Sequence, residues 1–180
     1  RLWDSNGTQI ATLEGHQEWI YAIAFSADGT HLAIAGADDT VRFLDTDIFA
    51  RDTNILEGYQ SEIIGVQFSS DGTHLATLEE DGNARLWNVQ GTEIATLDGH
   101  QSEIYDVVFS PDGTHLATTG TDGVVRLWNI YGNELVTLED HPSTTNGRYE
   151  IAFNADGTRL VTVGTDDSES GSSHNTVRFW

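Results

Sequence analysis

Histidines and carboxylates are the side chains of this sequence best suited to acid–base catalysis or to holding a metal. There are 7 His and 29 Asp+Glu in 180 residues. Their spacing decides what they can do. His31, His74 and His115 each follow an Asp-Gly-Thr turn, 43 and 41 residues apart. Residues repeated at that distance belong to neighbouring copies of one unit of the kind that builds a propeller, where they would point outward from similar places. They do not converge as metal ligands must. The acidic stretch Asp166 to Ser173 has oxygens enough for calcium but no Asp-x-Asp-x-Asp-Gly spacing. Its simplest reading is a solvated loop of eight inserted residues, and His174 in that loop says little. The sequence shows no nucleophile–base pair, phosphate loop or metal cluster. The expectation is a non-catalytic chain with no cofactor and no metal.

Composition narrows the classes further. There is no Cys, which excludes disulfides, thiolate metal sites and cysteine nucleophiles. All eight Lys+Arg are Arg, so Schiff-base chemistry is absent as well. The net charge of −21 opposes binding to a nucleic-acid backbone or an anionic membrane. No apolar run approaches the roughly 18 residues of a membrane span. Partners are therefore expected to be proteins or peptides, basic or neutral in charge.

The elements that position these residues repeat. Ser/Asn-x-Asp-Gly turns place Asp28, Asp71, Asp112 and Asp156 at spacings of 43, 41 and 44. Ahead of them stand His16, Tyr59, His100 and His141, spaced 43, 41 and 41. Trp3, Leu44, Trp87, Trp128 and Trp180 form a third series. Between the turns run short stretches rich in β-branched and aromatic residues, with no sustained helical period. The sequence predicts an all-β chain of hairpins with a unit of about 40–45 residues.

The series Gly-His … Ser-Pro-Asp-Gly … Thr-Asp-Gly-x-x-Arg-Leu-Trp-Asn, most complete from Gly99 to Asn129, resembles the WD40 repeat. The resemblance covers essentially the whole chain and implies a β-propeller of four-stranded antiparallel blades. It implies the end of a preceding repeat at 1–13, then blades at 14–56, 57–97, 98–138 and 139–180, the last without its outer strand. The spare strand Thr8–Leu13 and the overlap of Arg1-Leu2-Trp3 with Arg178-Phe179-Trp180 suggest a cut through a continuing array. Four blades would be half of an eight-bladed ring, closed by a second copy exchanging Thr8–Leu13, or part of a longer propeller.

The resemblance also implies a buried hydrogen-bonded set in each blade. In blade three it would be His100, Thr118, Asp122 and Trp128. Blade four would have His141, Thr162, Asp166 and Trp180. Blade two keeps Thr77, Asp81 and Trp87 but carries Tyr59. Blade one keeps His16 and Asp38, while Ile34 and Leu44 replace the hydroxyl and the indole. Replacing two partners together avoids leaving one orphan polar group. Aligning the inner strands on Phe25, Phe68, Phe109 and Phe153 puts Tyr21, Ile64, Tyr105 and Tyr149 in one column, and Trp19, Glu62 and Glu103 in another. In WD40 proteins these columns rim the central channel on the binding face. Tyr and Trp dominate interaction hot spots, so these seven residues are the candidate partner-binding set. The alternative is that the tyrosines pack between blades with wet hydroxyls. The expected function is a protein-interaction scaffold; the alternative is a self-assembling structural module.

Overall fold

Alternating apolar residues punctuated by Asp-Gly and Asn-Gly turns form strands from one end of the chain to the other. The computed structural model describes residues 1–46, 53–59, 61–100, 103–139, 150–167 and 173–180. It begins with a short hairpin, β1 (Leu2–Trp3) and β2 (Gln9–Ala11), in which Gln9 faces Trp3 and Ala11 faces Leu2. Three four-stranded antiparallel sheets follow, each in simple up-and-down order. Blade one is β3 (Ile20–Phe25), β4 (His31–Gly36), β5 (Thr40–Asp45) and β6 (Thr53–Leu56). Blade two is β7 (Ile63–Phe68), β8 (His74–Glu79), β9 (Ala84–Asn88) and β10 (Glu93–Thr96). Blade three is β11 (Ile104–Phe109), β12 (His115–Gly120), β13 (Val124–Asn129) and β14 (Glu134–Glu139). The last sheet has three strands, β15 (Glu150–Phe153), β16 (Leu160–Asp167) and β17 (Ser173–Phe179). These are the four-stranded antiparallel sheets of WD40 blades, and the described residues contain no α-helix.

Each first turn is held by its own side chains. Asp28 accepts from the Ser26 hydroxyl at 2.6 Å and from the Thr30 amide at 3.0 Å, while Gly29 takes φ 73°. Only glycine reaches that left-handed conformation without a Cβ penalty. Asp71 with Ser69 and Thr73, and Asp112 with Ser110 and Thr114, repeat the arrangement. The histidines that follow bond the same turns: Nδ1 of His31, His74 and His115 lies 2.9, 2.7 and 2.7 Å from the preceding Thr hydroxyl. They are turn residues, and the described residues hold no cluster of three or more His, Cys, Asp or Glu fit for a metal.

The core is a stack of seams between successive sheets. One face of blade one supplies Ala33, Ala35, Val41 and Phe43, with Leu56 at the outer strand; blade two answers with Ile63, Phe68, Leu75 and Trp87. Ala76, Leu78, Ala84, Leu86 and Leu97 meet Ile104, Val107, Leu116 and Trp128 in the same way. Ala117 and Val125 meet Ile151, Leu160 and Trp180. Alternation along each strand therefore buries both faces of an interior blade, one against each neighbour.

Two expectations are corrected by the strand pairing. The insertion after Asp166 is not simply a loop: the β16–β17 ladder runs on through Thr165↔Asn175, Asp166↔His174 and Asp167↔Ser173. Polar residues can extend a two-stranded ladder because the bonds are main-chain ones. The strand expected over Thr8–Leu13 is shorter, Gln9–Ala11, and pairs with β1 of its own chain. The repeat spacing also implies an insertion at Pro142 to Gly147, ahead of the inner strand of blade four; it lies outside the described residues.

Candidate functional site

The register of the strands sets both the buried polar sets and the rim. In blade three β12 carries Thr118 and β13 carries Trp128, side by side on one face. The Trp128 indole N–H donates to Thr118 Oγ1 at 2.9 Å, and Thr118 Oγ1 lies 2.8 Å from His100 Nε2. On the other side of the ring, His100 Nδ1 lies 3.0 and 3.1 Å from the two oxygens of Asp122. One consistent chain of donors runs indole to hydroxyl, hydroxyl to Nε2, and Nδ1–H to carboxylate, so every member is satisfied. Gly120 makes room for it: a Cβ there would fall 2.6 Å from His100 Nδ1. Arg126 holds the segment that delivers the histidine by donating to Gly99 O at 2.7 Å.

Blade one keeps half of this set and redirects the rest. His16 Nδ1 lies 2.9 Å from Asp38, and Gly36 again opens the space for the ring. With Ile34 in place of a hydroxyl, His16 Nε2 turns to the Ile34 main-chain oxygen at 3.1 Å. Burial pushes the Asp38 carboxyl up, but hydrogen bonds from Thr40, His16 and the Gln17 amide outweigh it and hold it below its ordinary value. Blade four shows Trp180 Nε1 donating to Thr162 at 3.2 Å. His141 and the Asp166 side chain lie outside the described residues.

Blade two is built differently. Trp87 Nε1 still donates to Thr77 at 3.1 Å. Tyr59, however, packs against Trp87 with ring centroids 5.4 Å apart and the planes tilted by 47°, and Arg85 sits over the Tyr59 ring at 5.3 Å. Burial pushes the Tyr59 phenol well up, offset only in part by Thr77 beside it. The place that glycine holds in the other blades is taken by Glu79, whose side chain is fully buried. Arg85 Nε donates to Glu79 at 2.7 Å, and its NH1 reaches Glu93 at 3.2 Å. Asp81 does not join: exposed, it accepts instead from the Asn83 amide at 3.1 Å and Asn83 Nδ2 at 2.9 Å. A phenol has no ring N–H to offer it. Sequence reading missed Glu79 and Arg85. The signal was there, since Tyr59 and Glu79 are the two departures from their columns and fall in the same blade.

The residues expected at the rim owe their position to a repeated irregularity. In β3 the pairing steps from Ile20↔Gly36 to Ala22↔Ala35, leaving Tyr21 as an extra residue. β7 skips Ile64 and β11 skips Tyr105 in the same way. Bulges of this kind bend the strand and re-aim one side chain. Tyr21, Ile64 and Tyr105 are all exposed, and Trp19 beside them is 78% exposed. The main-chain oxygens of Trp19, Glu62 and Glu103 accept at 2.8 Å from Ala37, Glu80 and Thr121, which ties each rim segment to the second turn of its blade. The Tyr21 hydroxyl donates to Glu62 of the next blade, which raises the phenol's pKa. Glu103 is exposed and Glu62 half-buried. Tyr149 lies outside the described residues. The bulges themselves could not be read from the one-residue patterning of the strands.

Comparison with known proteins agrees with this construction. Residues 7–45, 51–88 and 91–129 match the family model of the WD domain, G-beta repeat. Nuclear distribution protein PAC1 of Tuber melanosporum is 44% identical over 45 residues, 25% of this chain and 10% of that protein. Nuclear distribution protein nudF 2 of Penicillium rubens is 47% identical over 45 residues, with the same coverage. The match thus takes in about a tenth of the length of these relatives. With more than half of its residues in matched repeats and its strands in four-stranded antiparallel sheets, the chain belongs to the WD40 repeat family.

Proposed function

We propose that this chain is a non-catalytic protein-interaction scaffold whose partner surface is the rim formed by Trp19, Tyr21, Glu62, Ile64, Glu103, Tyr105 and Tyr149. The observation that carries the reading is the bulge repeated in three blades, which turns an apolar or aromatic side chain outward at the same place each time. Exposed aromatics beside carboxylates suit a peptide that combines an apolar anchor with Lys or Arg, since the rings supply desolvated area and the acids supply steering. Polar residues that could do chemistry are already engaged in turns and buried sets. The test is selection of peptides on the immobilised chain, followed by measurement on a Trp19→Ala/Tyr105→Ala variant. Basic sequences should be enriched, and their affinity should fall at least about tenfold, the equivalent of about 1.4 kcal/mol. Equal binding to a folded double variant would remove the rim from consideration.

A second reading is a self-assembling module, two copies of which close one eight-bladed ring by exchange of Thr8–Leu13. It is supported by apolar faces left open on blades one and four. The remaining blades of a longer chain would cover the same faces.

A further inference from the structure

The junction between blades three and four carries a polar pair where the two earlier junctions are apolar. Just after each bulge, one residue of the inner strand stands opposite one of the second strand, with both side chains on the same face of the sheet. In blade one this pair is Ala22↔Ala35, and in blade two it is Gly65↔Leu78. Ala22 and Ala35 pack into the seam with blade two. The Leu78 side chain fills the space beside Gly65, 3.3 Å from where a Cβ would stand. In blade three the pair is Asp106↔Thr119, and in the last sheet the same column holds Glu150 opposite Val163. Two blades are built without a polar group at this place, so the fold does not require one.

Asp106 is half-buried. Its Oδ1 accepts from the Val107 amide at 2.9 Å, and its Oδ2 reaches the next blade, accepting from the Ile151 amide at 3.3 Å. No cation pairs with it among the described residues. The charged group that acts on it is Glu150 of β15. Burial pushes the Asp106 carboxyl above its ordinary value, the two amides pull it part of the way back, and Glu150 adds to the rise. Thr119, directly opposite on β12, is 1% exposed, and its Oγ1 has no hydrogen-bond partner among the described residues. A carboxylate drawn from water without a counter-charge, beside an unused buried hydroxyl, is a costly arrangement. It is also the arrangement that gains most from a cationic ligand.

The acceptors select among cations. An ammonium group has three N–H donors and no acceptor. Here the acceptors stand on three strands: Asp106 on β11, Thr119 on β12 and Glu150 on β15. A guanidinium is held best by two parallel bonds to one carboxylate, but both Asp106 oxygens are already engaged, by amides on different strands. Asp106 directly follows Tyr105, the bulged residue of the proposed partner surface. Glu62, on the same surface, already accepts from the Tyr21 hydroxyl. We propose that Asp106, with Glu150 and Thr119, receives a lysine side chain of the partner peptide. This rests on the reading of the rim and adds the place where the basic side chain goes.

The first probe on the 180-residue chain is n-butylammonium, a lysine side chain without its backbone, with tetramethylammonium as a cation that has no N–H. The amide resonances of Val107 and Ile151 should shift saturably with the first and not with the second. Asp106→Ala installs the residue type that blade one carries, so it should keep the sheets while weakening butylammonium at least about tenfold. Binding should weaken as pH falls through the Asp106 titration, which lies above that of an ordinary aspartate, a dependence that a purely structural carboxylate would not give. In basic peptides selected on the chain, replacing the bound Lys by norleucine should cost at least about tenfold, and replacing it by Arg several-fold. Equal shifts with tetramethylammonium, or unchanged butylammonium binding by a folded Asp106→Ala chain, overturn the proposal. An Arg peptide that binds as tightly as its Lys counterpart overturns the choice of lysine. Peptides lost with Trp19→Ala/Tyr105→Ala but kept with Asp106→Ala remove the lysine site and leave the rim standing. Butylammonium bound through Asp106 with no basic peptide enriched supports the site and removes the rim.

Discussion

Blades two and three have the same strand order, the same pairing at their first two strands and the same turns, yet they fill one internal space by different chemistry. In blade three a relay, Trp128 to Thr118 to His100 to Asp122, uses every donor once. In blade two the ring that enters is Tyr59, and the charge beneath it is a buried carboxylate, Glu79, matched by Arg85. The glycine column explains why the two solutions do not mix. An imidazole needs Gly120 beneath it, whereas Glu79 fills that place and needs a cation. A substitution at one position is tolerated when its neighbour changes with it, which is how a polar cluster can differ between repeats without disturbing the strands that carry it.

The difference can be broken from its strongest side. Arg85→Ala would remove the cation that faces the buried Glu79 carboxylate, and should cost about 3–5 kcal/mol in denaturant unfolding; a loss under about 1 kcal/mol would show that solvent reaches Glu79. In blade three, Thr118→Val removes the hydroxyl shared by indole and imidazole and should cost about 2 kcal/mol. The equivalent Thr77→Val strands only one donor and should cost less. Tyr59→His and Glu79→Gly together should convert blade two to the blade-three arrangement, with Asp81 recruited. The double variant should be more stable than the sum of the singles by about 1–2 kcal/mol, and additive singles would deny the link between the columns.

Acid should act on what the blades share. The Ser hydroxyl and the Thr amide and hydroxyl hold Asp28 and Asp112 down to about 2, below the roughly 3.9 of an unfolded aspartate. Their contribution is therefore present above about pH 4 and is lost as pH falls through about 2. Denaturation midpoints should drop across that window, and Asp28→Asn/Asp112→Asn should flatten the drop. The smallest effect is expected from Tyr59→Phe. The hydroxyl is buried without a well-aligned hydrogen bond among the described residues, so its removal should change stability by less than about 0.5 kcal/mol.

Much of this was legible in the sequence, for a physical reason. Asp-Gly turns, two-residue alternation and a 41–44-residue period are local signals, and the sheets follow them. The set around His100 could be placed because the most complete repeat, Gly99 to Asn129, resembles the WD40 pattern, and the resemblance implies the set. Blade two could not be read by analogy, because Asp81 keeps its place in the pattern while its partner has gone. What replaces it, Glu79 against Arg85 and Glu93, joins three strands whose proximity only folding reveals. The bulges at Tyr21, Ile64 and Tyr105 were hidden for another cause: a strand with one extra residue has the same composition as one without.

The self-contained first turns bear on the order in which the chain folds. Ser26 to His31 closes its own bonds within six residues, and Ser69 to His74 and Ser110 to His115 do the same. Contacts this close in sequence cost little loop-closure entropy, so each unit holds its own starting point for a hairpin. Folding in such an array can begin in any unit and spread to its neighbours. Interior units, closed on both sides, should exchange their amide hydrogens last, and the units with an open face first.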